Sequence, residues 1–471
     1  MTQNLNPASG AFVDRLAAML PDGTVSVAED FHRGELRKQI RGTAEAVAAP
    51  ATVSEVQTII RACAEARVPV IPFGGWTGLV GGQLSPDVPA LALSTHRLRA
   101  VRGVWPEEGV ATVEAGVILS ELHDLAQNAG LMFPLSLGAK GSARIGGLLS
   151  TNAGGTGVLR YGAMRDLTLG IEAVLPDSSL MNTAHRLRKS NMGYDLRNLM
   201  IGAEGTLGII TAASLRLFPI PRVVAAAVLA IRDPEAALTL LARLRDRVGD
   251  QVTGCELMDG TGLRWLAASH PAVRQPFAAP PDWSVLVEVG GASDDLHATL
   301  EEVAAGSMED GLVTDGVFAQ SEAQRDAFWE MRESIPEANR AVGAIASHDV
   351  SVPLSELARL IELGRPALRK IAPDLRFNIF GHVGDGNLHY NLFPAKGRDR
   401  SEYAALKDDL SARLHDLVTD MGGAISAEHG IGRLRAAEFA RLGDPASIAA
   451  MRAVKRALDP YGIMNPGAIL G

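Results

Sequence analysis

The chain reads as an α+β protein in two parts, and three observations predict it. A β-α-β start runs into glycine-rich loops before residue 219. Strand and helix patterns then alternate three times after Pro219 and Pro221, and from Tyr403 the pattern turns mostly helical. In order, residues 43–49 read as an extended piece. Residues 53–66 carry Val56, Ile59, Ile60 and Cys63 at helical spacing, and 68–73 form a short strand. Further strands are predicted at 90–93, 111–115, 167–175 and 207–217, with a helix over 118–129 and a long irregular segment over 133–157. Beyond the prolines, 223–231, 234–248 and 252–257 read strand, helix, strand. The order returns at 283–289, 294–305 and 311–317, and again at 349–352, 354–371 and 376–382. Repeated β-α-β units with short strands predict an antiparallel sheet with helices on one face, a ferredoxin-like layer duplicated. The expected domains are 1–220, 221–425 and a helical segment 426–471 that returns to the first.

At 471 residues there is room for two or three cores, and 47% hydrophobic with 21% charged residues is ordinary for a globular protein. A net charge of −9 argues against a nucleic-acid partner. Cys63 and Cys255 are the only cysteines and lie in apolar segments, so neither a disulfide framework nor a thiolate metal site is expected. The N-terminal residues show no basic and apolar export signal, and no apolar run approaches a membrane span, so the expected compartment is the cytoplasm.

The 49 glycines cluster at 74–82, 138–157 and 202–208. Glycine loops let backbone N–H groups approach a phosphate closely, because no Cβ intervenes. No G-x-G-x-x-G after a strand and no Gly-Lys-Ser/Thr is present, so spacing alone serves a phosphate cradle and a turn-rich structural loop equally.

The segment Phe380-Gly381-His382-Val383-Gly384-Asp385-Gly386-Asn387-Leu388-His389 reads as two strands about an Asp385-Gly386 turn. Folded there, His382 faces His389 on one side of the hairpin, and Asn391 points the same way. Glu428 and His429, among small residues in Ser426-Ala427-Glu428-His429-Gly430, offer a third ligand. Two His and one Glu suit zinc, manganese or ferrous iron with positions left open; solvated loop or core histidines are the alternative reading.

Three glycine motifs carry a family resemblance: Pro72-Phe73-Gly74-Gly75-Trp76-Thr77-Gly78, Ile145-Gly146-Gly147 through Asn152-Ala153-Gly154-Gly155, and Ile201-Gly202-Ala203-Glu204-Gly205 through Ile210. They resemble the FAD-binding domain of the vanillyl-alcohol-oxidase (PCMH) type. The second half, through 381–391, 426–432 and Asn465-Pro466, resembles the D-2-hydroxy-acid dehydrogenases, closest to those acting on D-2-hydroxyglutarate. The resemblance implies a two-part FAD-binding domain with an antiparallel-sheet substrate (cap) domain. It implies non-covalent FAD held by Gly74, Gly75, Trp76, Thr77, Gly78, Pro134, Gly138, Gly141, Ser142, Gly146, Asn152, Gly155, Glu204, Gly208, Ile210 and Asn465. It implies a divalent metal, zinc before manganese or iron, on His382, His389 and Glu428, with His429 as base and Arg332 and Asn391 binding the substrate. The implied reaction is oxidation of a D-2-hydroxy acid, D-2-hydroxyglutarate first, with D-lactate, D-malate or glycolate as alternatives. Electrons would pass to an electron-transfer flavoprotein or a quinone, and a homodimer is possible. Three positions depart from the family pattern: Trp76 where a small residue is usual, Pro336 where threonine is usual, and Ser347 where lysine is usual.

Overall fold

The computed structural model describes residues 5–34 and 39–471. Residues 1–4, part of the N-terminal segment read for an export signal, lie outside them. Two compact units emerge: Met1–Gly155, Tyr161–Ile220 and Glu428–Gly471 form the first, and Thr156–Arg160 with Pro221–Ala427 the second. Among the described residues no helix is long and apolar enough to cross a membrane.

In the first unit β1 (Val25–Val27), β2 (Ala46–Ala48), β3 (Val70–Phe73) and β4 (Leu91–Ser94) make a sheet of order β1-β2-β4-β3. β2, β4 and β3 run parallel. The helix Val53–Ala66 forms the crossover between β2 and β3. Thr52 caps it by accepting from the Glu55 N–H, and its Val56, Ile59, Ile60 and Cys63 are fully buried beneath β3 and β4. β5 (Val101–Trp105), β6 (Val110–Glu114), β7 (Leu131–Met132), β8 (Thr168–Val174), β9 (Leu180–Asn182), β10 (Ile209–Arg216) and β11 (Phe218–Pro219) follow. The order β5-β6-β10-β8-β9 gives an antiparallel sheet, and β11 pairs with β7. One element inside the segment expected to be irregular is a helix, Ile145–Thr151. Its glycine pair lowers helix propensity and masked it in the sequence. Tertiary packing overrides that, since Gly146 lies so close to the β6 end that a Cβ would stand 2.7 Å from the Ala115 Cβ.

The second unit is one seven-stranded sheet of β12 (Val223–Ile231), β13 (Val252–Asp259), β14 (Trp283–Gly291), β15 (Val313–Phe318), β16 (Ala346–Ser351), β17 (Arg376–His382) and β18 (Asn387–Phe393). The order is β15-β12-β14-β13-β17-β18-β16, every pair antiparallel. β12 to β15 with the helices Pro234–Val248 and Leu296–Glu309 make the ferredoxin-like β-α-β-β-α-β unit. Helices cover both faces, not one as expected. Ala225, Ala227 and Leu229 pack with Leu240, Leu300, Leu360 and Leu414 of four helices. Ala226, Val228, Met258, Leu286 and Phe380 pack on the other face with Leu263, Met331 and Ile335 of the helices Gly260–Ser269 and Glu322–Val342. The run Val223-Val224-Ala225-Ala226-Ala227-Val228-Leu229 already shows the reason: it is continuously apolar, the pattern of a strand buried on both sides.

Leu286 is fully buried on the face shared with Met331 and Ile335. Leu286→Ala is expected to lower unfolding stability by about 2–5 kcal/mol in urea titration, the range for a core leucine whose cavity does not collapse.

Candidate functional site

β17 and β18 join through a turn longer than the sequence predicted. Residues Val383–Asp385 form a single 3-10 turn, capped by Gly386 with φ 80°. The register pairs Phe380 with His389, while His382 pairs with Glu256 on β13. His382 and His389 are therefore not directly opposed; the pairing has slipped by two positions. Because side chains alternate with period two, such a slip keeps both histidines on one face, where a slip of one would have separated them. Their ring centroids are 5.6 Å apart, and a ligand nitrogen of each lies within 4.8 Å of the other.

This face is the one packed by the Glu322–Val342 helix, and Glu256 organises it. Its Oε1 lies 2.7 Å from His382 Nδ1, and its Oε2 accepts from Arg332 Nε at 2.9 Å with Nη2 at 2.8 Å. Burial by itself would raise Glu256, which is 1% exposed, but the charges and hydrogen bonds of His382 and Arg332 prevail and hold it at about 2. With Nδ1 committed to Glu256, His382 has the arrangement by which a carboxylate orients a metal-ligating imidazole. Arg332 is not a solvated helix residue. It is 5% exposed, paired to Glu256, and its guanidinium sits 4.7 Å over the Phe380 ring, which in turn lies 4.9 Å from His389.

Asn391 shares the face and is buried, its Nδ2 donating to the Asn378 and His389 carbonyls at 3.2 and 3.0 Å. Ser347 pairs across the sheet with Asn391, and Pro336 lies exposed one helical turn beyond Arg332. Asp349, 1% exposed, pairs with His389 across the sheet and accepts from Asn387 Nδ2 at 2.9 Å. The Asp349 carbonyl also receives the Ala427 N–H at 3.2 Å. Glu428 follows Ala427 directly in the chain. Sequence reading passed over Glu256. Its signal was a lone carboxylate in the apolar strand Cys255-Glu256-Leu257-Met258, where a charge must find partners.

In the first unit the predicted cofactor positions fall into two kinds. At Gly75 and Gly155 the chain meets itself. A Cβ would stand 1.9 Å from the Ser142 carbonyl oxygen at the first and 2.0 Å from that of Ser136 at the second, so only glycine fits. Gly146 meets Ala115 and Gly208 meets the Val174 carbonyl in the same way. Gly138 and Gly141 are exposed with nothing within 4 Å of a Cβ, and Ser142 beside them is exposed too. Their openness leaves backbone available to a ligand. Gly74, Thr77, Gly78 and Pro134 are half-buried, and Ile210 is buried in β10. Trp76 takes φ 60°, and its indole is tied down, Nε1 donating to the Gly34 carbonyl at 2.9 Å with the ring edge-on to Phe73.

Of the seven described non-glycine residues with positive φ, four are predicted cofactor positions: Trp76, Asn152, Glu204 and Asn465. Strained backbone persists only where surroundings impose it, and it concentrates at functional sites. The imposing contacts are present. Glu204 accepts the Ile431 and Gly432 N–H groups at 2.7 and 2.8 Å. Asn465 Nδ2 donates to the Gly82 and Glu204 carbonyls, while its Oδ1 accepts from Arg433. Arg433, which sequence reading missed, also donates to the Gly81 and Gly82 carbonyls at 3.1 Å. Asn465 and Arg433 thus brace the end of the first glycine loop, and burial lowers Arg433 to about 10. His429 stands between Glu428 and Gly430, within two residues of the backbone that Glu204 anchors. The open glycines, braced loops and imposed strain fit a flat, phosphate-bearing cofactor such as FAD.

Burial raises Glu204 from the ordinary carboxylate range to about 7, against the opposing pull of the Ile431 and Gly432 N–H groups and of Arg433 and Arg435. Between pH 4.5 and 7 the folded chain then binds more protons than the unfolded chain, so stability falls as pH rises through that window. The expected loss is about 3 kcal/mol in the cofactor-free protein, read by urea unfolding across pH, at ~1.4 kcal/mol per pKa unit. Glu204→Gln should flatten that slope while losing about 1 kcal/mol at low pH, since an amide cannot accept from both N–H groups.

A family model described as FAD linked oxidases, C-terminal domain, matches residues 220–469, and an FAD binding domain model matches 44–184. The chain is 34% identical over 454 residues to the mitochondrial D-2-hydroxyglutarate dehydrogenase of Arabidopsis thaliana, covering 95% of this chain and 80% of the relative. It is 35% identical to the D-2-hydroxyglutarate dehydrogenase of Xanthomonas citri pv. viticola, covering 90% and 89%. Among solved structures, p-cresol methylhydroxylase with substrate bound superposes with TM-score 0.78 at 18% identity, covering 99% of this chain and 98% of that one. That likeness bears out the α+β fold class of the vanillyl-alcohol-oxidase type. The cytoplasmic expectation is overturned, because relatives including the Arabidopsis protein are named as mitochondrial. Charge and hydropathy describe how the surface meets water and do not encode a compartment. With more than half its length matched by one model and a relative at 34% identity over most of both chains, this protein belongs to the FAD-linked oxidases.

Proposed function

We propose that this protein oxidises a D-2-hydroxy acid, D-2-hydroxyglutarate first, to the 2-oxo acid. FAD is the proposed acceptor, and His382, His389 and Glu428 are the proposed ligands of a divalent ion. The observation that carries the metal is the pair of histidines on one sheet face, with Glu256 fixing the Nδ1 side of His382. Zinc suits the two-nitrogen, one-oxygen donor set, with manganese and iron as alternatives. When bound, FAD would take a hydride at N5, and the metal would lower the pKa of a hydroxyl oxygen it touches.

The chain's own residues then have distinct tasks. His429 is the proposed base for the hydroxyl proton, its ordinary pKa being near neutrality. Arg332 is the proposed partner of the substrate carboxylate. Its pairing to Glu256 means that it would do so from a fixed orientation, sharing its charge between two carboxylates. Asn391, on the same face, is the second substrate contact. A second reading, a monocarboxylate such as D-lactate or glycolate, is favoured by Ser347. It sits opposite Asn391 with a neutral side chain where a lysine would supply a further positive charge for a dicarboxylate. Reduced flavin would pass electrons to an electron-transfer flavoprotein or a quinone.

The deciding experiment is anaerobic mixing of FAD-loaded protein with D-2-hydroxyglutarate, D-lactate, D-malate and glycolate while flavin absorbance is followed, before and after chelation. Bleaching by one acid, abolished by chelator and restored by zinc, is expected; bleaching that survives complete metal removal overturns the metal's role. His429→Ala should keep flavin and zinc stoichiometry yet lose roughly 10²–10⁴-fold in turnover, the contribution typical of a general base. Glu256→Ala should weaken zinc binding by about 10–100-fold in calorimetric titration, as removal of a carboxylate behind a ligating histidine does.

A further inference from the structure

At the end of β17 remote from His382, the second unit has a cleft of about 270 Å³ lined by Thr261, Trp265, Arg365, Arg369, Arg376 and Phe377. Arg376 and His382 are six strand positions apart, roughly 20 Å at the strand rise. The three guanidiniums come from two elements, the last turns of the helix Leu357–Arg369 and the first residue of β17. Each is laid on an aromatic face: Arg376 5.1 Å over Trp265, Arg369 5.2 Å over Phe377, and Arg365 5.1 Å over Trp283. Stacking of this kind restrains a long side chain and leaves the N–H edge in the plane, directed outward for hydrogen bonding.

The charge does not cancel. Arg365 is matched by Asp259 at 2.6 Å, but Arg376 spends its Nε on the Pro394 carbonyl, which carries no net charge. Arg369 is exposed and adds a further positive charge at the rim.

We infer that this cleft binds a compact oxyanion, of the phosphate or dicarboxylate class, at a site separate from the hairpin histidines. The two Arg charges without a carboxylate partner set the preference for a dianion, and the fork geometry of guanidinium suits tetrahedral and planar oxyanions alike. This inference does not depend on the proposed reaction.

The test titrates inorganic phosphate and, separately, succinate into the FAD-loaded full-length protein at constant ionic strength, by calorimetry and tryptophan fluorescence. Saturable binding of at least one is expected, and the tighter of the two names the ligand class. Arg369→Glu, an exposed change remote from the hairpin, should weaken that binding by roughly tenfold or more, while Arg369→Gln falls between. Turnover of both variants without added anion should equal that of the parent. Absence of saturation with either anion, or undiminished affinity in Arg369→Glu, overturns the inference; the second outcome would place the anion in the substrate site instead.

Discussion

A single carboxylate holds the chemistry-bearing face of the second unit together. Glu256 is buried in the middle of a seven-stranded sheet and touches both His382 and Arg332. A carboxylate in that position is unaffordable alone, since an unpaired buried charge is expelled or neutralised. Flanked by an arginine and an imidazole it stays ionised, and each partner is fixed in return. Removing one member of such a set leaves another buried and uncompensated, a loss of about 3–5 kcal/mol, larger than the set's net stabilisation. The arrangement is therefore better understood as a device for orientation than as a source of stability.

That constraint runs outward through contacts of ordinary strength. Arg332 lies over Phe380, and Phe380 lies against His389, so one guanidinium is in register with both histidines. The helix Glu322–Val342 supplies the arginine, and the same helix reaches Asn378 through Asn339, whose side chains are 2.7 Å apart. Two points on one helix are thereby tied to one strand. The helix cannot rotate about its axis without breaking either the buried ion pair or the buried amide pair, and Pro336 lies between them.

Much of this was legible in the amino-acid order, for reasons that also mark where legibility stops. Strands such as 223–231 and 376–382 and the helix 234–248 were readable because apolar periodicity is a local property. The facing of His382 and His389 was readable in parity but not in register. Alternation survives a slip of two, and Val383-Gly384-Asp385 made a 3-10 turn where a two-residue turn was expected. The helices on the second face were missed through reliance on the repeating order and not on the unbroken apolar runs. The partnership of Glu256 with His382 and Arg332 spans 126 and 76 residues, and no local pattern specifies contacts of that range. The glycines showed a different limit. A sequence marks them all alike, whereas Gly75 is required by the approach of Ser142 and Gly138 by nothing in the chain itself.

That last contrast bears on how a cofactor loop is built. A loop made only of glycine is open to ligand but has no reason to hold a shape, because glycine loses most conformational entropy on ordering. Here the shape is imposed from outside. Arg433 and Asn465 bind the Gly81 and Gly82 carbonyls, Glu204 accepts two N–H groups from 431–432, and Trp76 is hooked to Gly34. Three of the four residues that do the holding, Trp76, Glu204 and Asn465, have left-handed backbone. Each such conformation costs of order 1–3 kcal/mol, which side-chain hydrogen bonds to loop carbonyls and amides offset. Strain and bracing are two sides of one arrangement, in which the bracing residues are bent so that the glycine backbone stays exposed. The departure at Trp76 fits the same logic: a large side chain is admissible in a glycine loop, despite the cost of its positive φ, when its indole is tied to Gly34 and its ring packs against Phe73 and His32.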